Sequence, residues 1–139
     1  MAQNVQAVMT KDPVTLPDTA TAIEGARLMR ERNIGDVIVT CDGNVCGIIT
    51  DRDIVVRGIA EGKNPAQIKL GELCSHEMVT VSPMDSVDTA IQIMREKAVR
   101  RLPVIEGGRP VGIVSLGDLA IERDRNSVLG QISAAPANV

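Results

Sequence analysis

Residues 47–53 read Gly-Ile-Ile-Thr-Asp-Arg-Asp, and residues 112–118 read Gly-Ile-Val-Ser-Leu-Gly-Asp. The two segments lie 65 positions apart, and a shift of that length places residues 14–53 over residues 79–118 without a gap. Ten of the forty aligned pairs are identical, and many others keep their chemical type. Self-similarity at a fixed period indicates one structural unit written twice.

Each copy carries the same order of local signals. A short run of β-forming residues (14–16 and 79–81) is followed by apolar residues at helical spacing, which predict an amphipathic helix. Two strands follow, joined by an Asp-Gly or Gly-Gly dipeptide that suits a tight hairpin with positive φ. A hydroxyl residue, Thr50 or Ser115, then begins a second helix. The sequence therefore predicts an α/β fold with the order strand–helix–strand–strand–helix, repeated.

The repeat also sets the expected domain boundaries. Gly62 and Pro65 lie between the copies, where such residues favour a linker. A matching lead-in precedes each copy, at residues 5–10 and 70–75. The C-terminal tail is small and polar, so we expect it to be partly disordered. The expected organisation is a first repeat at 5–61, a linker at 62–69, a second repeat at 70–125 and a tail at 126–139.

The composition argues against several kinds of partner. The 139 residues include no Phe, Tyr or Trp, which argues against base stacking and aromatic cages. Fifteen basic against eighteen acidic residues give a net charge of −3, whereas proteins that bind a phosphate backbone normally carry a basic surplus. No apolar run approaches the ~18 residues of a membrane span, and no secretory signal is visible. We expect a cytoplasmic protein without nucleic-acid or membrane partners.

Residue patterns typical of catalysis are missing from the sequence. The chain has a single histidine, His76, and it contains no nucleophile elbow. Gly62-Lys63 lacks the spacing of a phosphate-binding loop. We therefore expect no enzymatic activity.

The chain has three cysteines, Cys41, Cys46 and Cys74. An odd number in a chain without a signal leads us to expect reduced thiols. Cys41 and Cys46 flank the first hairpin turn, and Cys74 forms a Cys-x-His pair with His76. Zinc takes four such ligands and no Cys-x-x-Cys motif is present, so inert thiols and a redox or metal role both stay open.

Several segments together carry a family resemblance. The lead-in Val8-Met9-Thr10, the Arg-Arg-Leu-Pro-Val segment at 100–104 and the endings at 47–53 and 112–118 resemble a pair of cystathionine-β-synthase (CBS) domains, or Bateman module. The resemblance covers about residues 5–125. It implies two copies packed with pseudo-two-fold symmetry, and clefts between them that take AMP, ATP, NAD, S-adenosylmethionine or another adenosine-containing ligand. It also implies a regulatory homodimer that passes its state to a protein partner.

The repeated endings supply groups that suit such a ligand. Thr50 and Ser115 stand where a strand turns into a helix, so free backbone amides and a hydroxyl can donate to a phosphate. Asp53 and Asp118, one turn later, can accept from both ribose hydroxyls. The same Ser/Thr-x-x-acid spacing is also the capping-box pattern, in which these groups satisfy amides of the helix itself. The sequence leaves both interpretations open.

The copies differ just before their second strand. Arg100 and Arg101 of the second copy correspond to Gly35 and Asp36 of the first. A guanidinium pair attracts a phosphate and Asp36 repels one, so two sites would differ in affinity unless both arginines are merely solvated surface cations. The resemblance adds one ligand contact on the first strand of each copy, Thr15 and Thr80.

Apolar helix positions predict self-association. The stripes are Ala22/Ala26/Met29 in the first copy and Val87/Ile91/Met94/Ala98 in the second, and the helices that follow Thr50 and Ser115 add Ile54, Val55, Leu119 and Ile121. Copies of about 60 residues cannot bury all such positions alone, so we expect a homodimer through helical faces. Two other hypotheses stay open, namely an interaction protein without a ligand and a thiol- or metal-responsive sensor.

Overall fold

The computed structural model describes residues 3–76 and 78–123, with the backbone alone for 121–123. The tail expected at 126–139 lies outside these residues. The chain divides into two units, which we call the first-repeat unit (residues 14–78) and the second-repeat unit (residues 3–13 and 79–123).

The order of helices and strands follows the predicted repeat. The helices are α1 (Val5–Val8), α2 (Ala22–Arg32), α3 (Asp51–Asp53), which continues as a π-helix (Ile54–Ile59), α4 (Leu70–Leu73), α5 (Val87–Lys97) and α6 (Leu116–Arg123). The strands are β1 (Thr10–Lys11), β2 (Thr15–Pro17), β3 (Asp36–Cys41), β4 (Asn44–Thr50), β5 (Arg101–Glu106) and β6 (Arg109–Ser115). The α/β fold with tandem repeats is therefore confirmed.

The first-repeat unit contains a three-stranded sheet in the order β2-β3-β4, with β2 parallel and β4 antiparallel to β3. The hairpin turn places Asp42 and Gly43 at φ values of 51° and 83°, as the Asp-Gly signal predicts. Beyond the turn, Thr40 pairs with Val45 and Val39 pairs with Gly47, so Cys46 is the extra residue of a β-bulge. A bulge of this kind bends the strand, which here leads into α3.

The second-repeat unit departs from the prediction at its first strand. Only Val81 bridges β5, in parallel to Val104, and residues 79–80 form no ladder. The physical reason is a proline. In the first-repeat unit the Ile38 amide donates to the Val14 carbonyl at 3.0 Å, and the position that corresponds to Ile38 is Pro103, which has no N–H.

Each unit is completed by the lead-in of the other copy. The Val5 amide donates to the Asp85 carbonyl at 2.8 Å in the second-repeat unit. The corresponding bond in the first-repeat unit joins the Leu70 amide to the Ala20 carbonyl, also at 2.8 Å. Residues of the expected linker also contribute here, because the Ile68 carbonyl accepts from the first amide of α2. The structural units therefore exchange a segment relative to the sequence repeats.

The apolar stripes are largely used inside their own unit. Ala22 and Met29 lie in the core of the first-repeat unit, and Val87 and Met94 in that of the second. Helix α2 turns Gly25 and not Ala26 towards its core, and a Cβ at Gly25 would lie 3.2 Å from a methyl carbon of Leu70 in α4. The part of each stripe that lies in a core is not free for an interface, and the predicted homodimer stays a prediction. Among the described residues, the exposed large apolar side chains are Val55, Val56, Ile59, Met84 and Leu116.

Candidate functional site

The first candidate site lies where β4 ends and α3 begins. Asp53 Oδ2 accepts from the Thr50 amide at 2.9 Å, and Thr50 Oγ1 accepts from the Asp53 amide at 3.1 Å. These reciprocal bonds form a capping box, so the helix-cap interpretation is correct for one carboxylate oxygen. The box also fixes the orientation of the Asp53 carboxylate, which directs its other oxygen, Oδ1, away from the capped amide.

The second-repeat unit repeats this geometry. Asp118 Oδ2 accepts from the Ser115 amide at 2.9 Å, and Ser115 Oγ accepts from the Asp118 amide at 3.1 Å. Both carboxylates are partly buried, which leaves them reachable from solvent. We call each pair of hydroxyl residue and aspartate a clamp. Capping and ligand binding are compatible in a clamp because they use different oxygens of one carboxylate.

The surroundings of Oδ1 differ between the clamps. In the first-repeat unit, Arg57 Nε lies 3.8 Å from Asp53 Oδ1, and Arg57 also donates to the Leu73 carbonyl at 3.2 Å. The position that corresponds to Arg57 in the second copy holds Glu122. A cation therefore faces the first clamp, and the sequence supplies none at the equivalent position of the second.

The start of the preceding strand lies directly beside each clamp. The Arg100 carbonyl accepts from the Leu116 amide at 2.8 Å, and Arg101 pairs with Ser115 across the β5–β6 ladder. The structure thus brings both predicted arginines to the second clamp. Gly35 and Asp36 take the equivalent places at the first clamp, where the Gly35 carbonyl accepts from the Asp51 amide at 3.0 Å.

A cavity of about 490 Å³ lies between α5 and α6. Its lining includes Leu116 and Leu119, the neighbours of the second clamp in the chain, but neither Ser115 nor Asp118. Its wall is mostly apolar and includes two guanidinium-bearing residues, Arg95 and Arg100. The other lining residues are Ile91, Met94, Ala98, Val99, Leu116 and Leu119. A mostly apolar wall with a few charged groups is typical of small-molecule sites. Sequence reasoning did not assign Arg95, which lies in the last turn of α5, to this cavity.

The two predicted threonine contacts, Thr15 and Thr80, are exposed to solvent. Thr15 pairs with Ile38, two residues beyond Asp36 on β3. Thr80 precedes the Val81 bridge and is exposed as well. The contacts of the described residues join neither threonine to its clamp, so their role stays a prediction that follows from the resemblance alone.

The cysteines correct one expectation. Cys41 and Cys46 form a disulfide with their Cα atoms 5.7 Å apart, so reduced thiols are wrong for two of the three cysteines. The hairpin and its bulge bring the two residues within disulfide range, which sequence spacing alone did not reveal. Cys74 is a free thiol, and its burial raises its pKa. A cytoplasmic location therefore no longer follows from the cysteines.

Comparisons with known proteins identify the family to which the fold belongs. The family model of the CBS domain matches residues 5–58 and 70–124. The CBS domain-containing protein YhcV of Bacillus subtilis is 37% identical over 91% of this chain and 90% of its own length. Hypoxic response protein 1 of Mycobacterium tuberculosis is 33% identical over 91% of this chain and 90% of its own length.

Solved structures share the fold. The crystal structure of Hypoxic Response Protein I with two coordinated zinc ions matches with a TM-score of 0.78 and 33% identity, covering 86% of this chain and 98% of that one. The CBS domain pair of MJ0100, in complex with 5′-methylthioadenosine and S-adenosyl-L-methionine, matches with a TM-score of 0.78 and 24% identity, covering 86% and 94%. None of the helices in the described residues has the length and apolar character to cross a membrane.

Proposed function

This chain belongs to the CBS domain family, and we propose that it is a regulatory module that binds an adenosine-containing small molecule. AMP, ATP, NAD and S-adenosylmethionine are the candidates. The observation that carries the proposal is the clamp, in which a capping box uses Oδ2 of an aspartate and leaves Oδ1 outside the box. The same device occurs in both units, and helix capping alone does not require a carboxylate with a second acceptor.

Ribose is the group that the clamp suits. A vicinal diol offers two hydroxyl donors, and a carboxylate accepts both with a charge that a neutral side chain lacks. The clamp aspartate is already oriented by its bond to the amide of Ser115 or Thr50, so little side-chain entropy is lost when the ligand binds. The MJ0100 pair holds two adenosine derivatives, which supports this class of ligand.

We expect the second clamp to bind phosphorylated ligands more tightly than the first. Arg100 directly precedes β5, where its carbonyl accepts from the Leu116 amide next to the second clamp, and a guanidinium matches the geometry of a phosphate. The first clamp has Gly35 in the place of Arg100, and a further acidic residue, Asp36, pairs with Thr50. The unequal charge of the two surroundings supports one preferred site for a nucleotide.

We also propose that the chain forms a homodimer and passes its ligand state to a protein partner. Val55, Val56 and Ile59 are 53%, 42% and 56% exposed on the π-helix of the first-repeat unit. Contiguous apolar residues on a helix are a common basis for an isologous interface. A regulatory output through association, and not through catalysis, is what this arrangement supports.

The proposal is tested by thermal unfolding with AMP, ATP, NAD, S-adenosylmethionine and, as a control, GMP. A ligand that binds only the folded state stabilises it by about 2.7 kcal/mol at one hundred times its Kd. We expect at least one adenosine-containing ligand to raise Tm, and GMP to raise it less. If none of the four raises Tm at millimolar concentration, the chain is an interaction module without a ligand of this class.

A further inference from the structure

A thiol and an imidazole, those of Cys74 and His76, lie close together beside β4 in the first-repeat unit. The Cys74 thiol packs on Gly47, so closely that a Cβ at this position would lie 2.6 Å from Cys74 Sγ. Cys74 Sγ also lies 3.7 Å from Nε2 of His76. Gly47 thus leaves the space in which the thiol and the imidazole approach each other.

The imidazole also contacts the bulged strand. His76 Nδ1 lies 3.3 Å from the Cys46 carbonyl oxygen, and Nε2 lies 2.9 Å from the Gly71 carbonyl oxygen. A neutral ring carries one hydrogen, so only one of these nitrogens donates at a time. When Nδ1 carries the hydrogen and donates to Cys46, Nε2 presents a lone pair on the side of Cys74.

The disulfide lies next to this pair of side chains. Cys41 shares its strand face with Val37 and Val39, which belong to the core. Cys46 precedes Gly47 and packs against the same buried cluster, of which Cys74 is a member. All three sulfur atoms therefore belong to one side of the β3–β4 hairpin.

We propose that reduction of the Cys41–Cys46 disulfide turns this corner into a binding site for a thiophilic divalent cation, with Zn²⁺ as the physiological candidate. The ligands are the Sγ atoms of Cys41, Cys46 and Cys74 together with His76 Nε2. In the oxidised protein no group of three or more metal-ligating side chains is assembled within the described residues. Reduction supplies the two thiols that are missing.

The existing geometry matches one edge of a tetrahedral zinc site. Zinc binds sulfur at about 2.3 Å and histidine nitrogen at about 2.0 Å, which places these two ligand atoms about 3.6 Å apart. Cys74 Sγ and His76 Nε2 are 3.7 Å apart. Metal-ligating histidines donate their other ring N–H to a carboxylate or a carbonyl. The Cys46 carbonyl is placed to accept that hydrogen from Nδ1.

The chemistry balances with a dithiol as reductant. The dithiol transfers two electrons and two protons to the Cys41–Cys46 bond, which yields two thiols, and the dithiol itself becomes a disulfide. Metal binding then releases one proton from each of the three thiols, and four bonds to the metal replace bonds to water. The Nε2 contact with the Gly71 carbonyl gives way to the metal.

The second-repeat unit is a built-in comparison. Its glycine at the equivalent position, Gly112, is approached by Met9, and Lys11 stands where the first-repeat unit has His76. The positions of Cys41 and Cys46 hold Glu106 and Val111. This corner has the same backbone but lacks thiols and imidazole, so the inference applies to the first-repeat unit alone.

The test is a Co²⁺ titration of the full chain, reduced by a phosphine without oxygen. We expect one Co²⁺ per chain, with sulfur-to-cobalt charge-transfer absorption of three thiolates and the d–d bands of tetrahedral Co²⁺. The oxidised chain should show neither. The proposal would be overturned if the reduced chain showed no charge-transfer absorption at one equivalent of Co²⁺. It would also be overturned if the chain bound only half a Co²⁺ per molecule.

Matched variants assign the ligands. Because His76 is exposed, His76→Gln should leave folding intact and weaken Co²⁺ binding at least tenfold, while Lys11→Gln leaves binding unchanged. Cys74→Ser should reduce the charge-transfer intensity from three thiolates to two, and Met9→Ser should not alter it. Binding of Co²⁺ by His76→Gln as tightly as by the unmodified chain would contradict the site, whatever the folding of the Cys74 variant.

Discussion

The two clamps share their hydrogen bonds but not their electrostatic surroundings. Asp53 and Asp118 both cap a helix through Oδ2 at 2.9 Å. Asp53 Oδ1, however, faces Arg57, whereas Asp118 lies beside a strand that begins with arginine and has Glu122 at the position equivalent to Arg57. Positions that are alike in both copies therefore carry the shared hydrogen bonds, and we expect the positions that differ to set any difference in ligand preference.

The glycine in the last strand of each copy, Gly47 in β4 and Gly112 in β6, has the lead-in packed closely against it. Substitution of this shared glycine has the largest expected effect on stability. A Cβ at Gly47 would lie 2.6 Å from Cys74 Sγ and 2.9 Å from the Ser75 carbonyl oxygen. A Cβ at Gly112 would also lie 2.9 Å from a backbone oxygen, that of Thr10. We expect Gly47→Ala to lower the free energy of unfolding by about 3 kcal/mol, and Gly112→Ala by about 1–2 kcal/mol, because the flexible Met9 side chain can move aside. Urea unfolding measures both changes. Equal losses of stability in the two variants would show that the contact with the backbone oxygen, and not the contact with the Cys74 sulfur, determines the destabilisation.

The disulfide should protect the amide hydrogens of the β3–β4 hairpin from exchange more strongly than those of the β5–β6 hairpin, which has no disulfide. Closing a loop of this length stabilises the folded chain by about 2 kcal/mol in the chain-entropy model. Reduction in the presence of a chelator should therefore speed amide hydrogen exchange in β3 and β4 and leave β5 and β6 unchanged. The same acceleration in both hairpins would mean that the units open together and would remove this distinction.

The smallest expected effect concerns the first strand of the second copy. Pro103→Ile restores the amide that Ile38 provides in the first copy, which gives the Val79 carbonyl a donor. We expect a gain of about 0.5–1 kcal/mol and a protected amide at position 103 by hydrogen exchange. A loss of stability would indicate that the buried site does not accept the isoleucine side chain.

Local signals in the sequence predicted much of this molecule. The repeat, the hairpin turns and the helix starts at Thr50 and Ser115 depend on residues close in the chain, where turn and cap chemistry is decisive. The shortened strand at 79–81 was also readable, since proline stands at position 103.

Long-range features were not predictable in the same way. The exchange of lead-ins depends on contacts such as that of Val5 with Asp85, which no local pattern encodes. The disulfide depends on the bulge at Cys46, and spacing alone did not distinguish it from two free thiols. The sequence also did not show which oxygen of Asp118 caps the helix, because the spacing fits capping and ligand binding equally. The folded geometry assigns the cap to Oδ2.

We propose that Oδ1 of Asp118 binds ribose while Oδ2 caps the helix. Asparagine retains an oxygen for the cap but replaces the second acceptor with a donor, so Asp118→Asn should keep Tm within about a degree of the unmodified chain. Calorimetric titration with AMP should show a loss of about ten- to a hundredfold in affinity for Asp118→Asn, and a much smaller loss for Asp53→Asn. Unchanged AMP affinity together with a Tm several degrees lower in Asp118→Asn would contradict the claim and leave the residue a helix cap only.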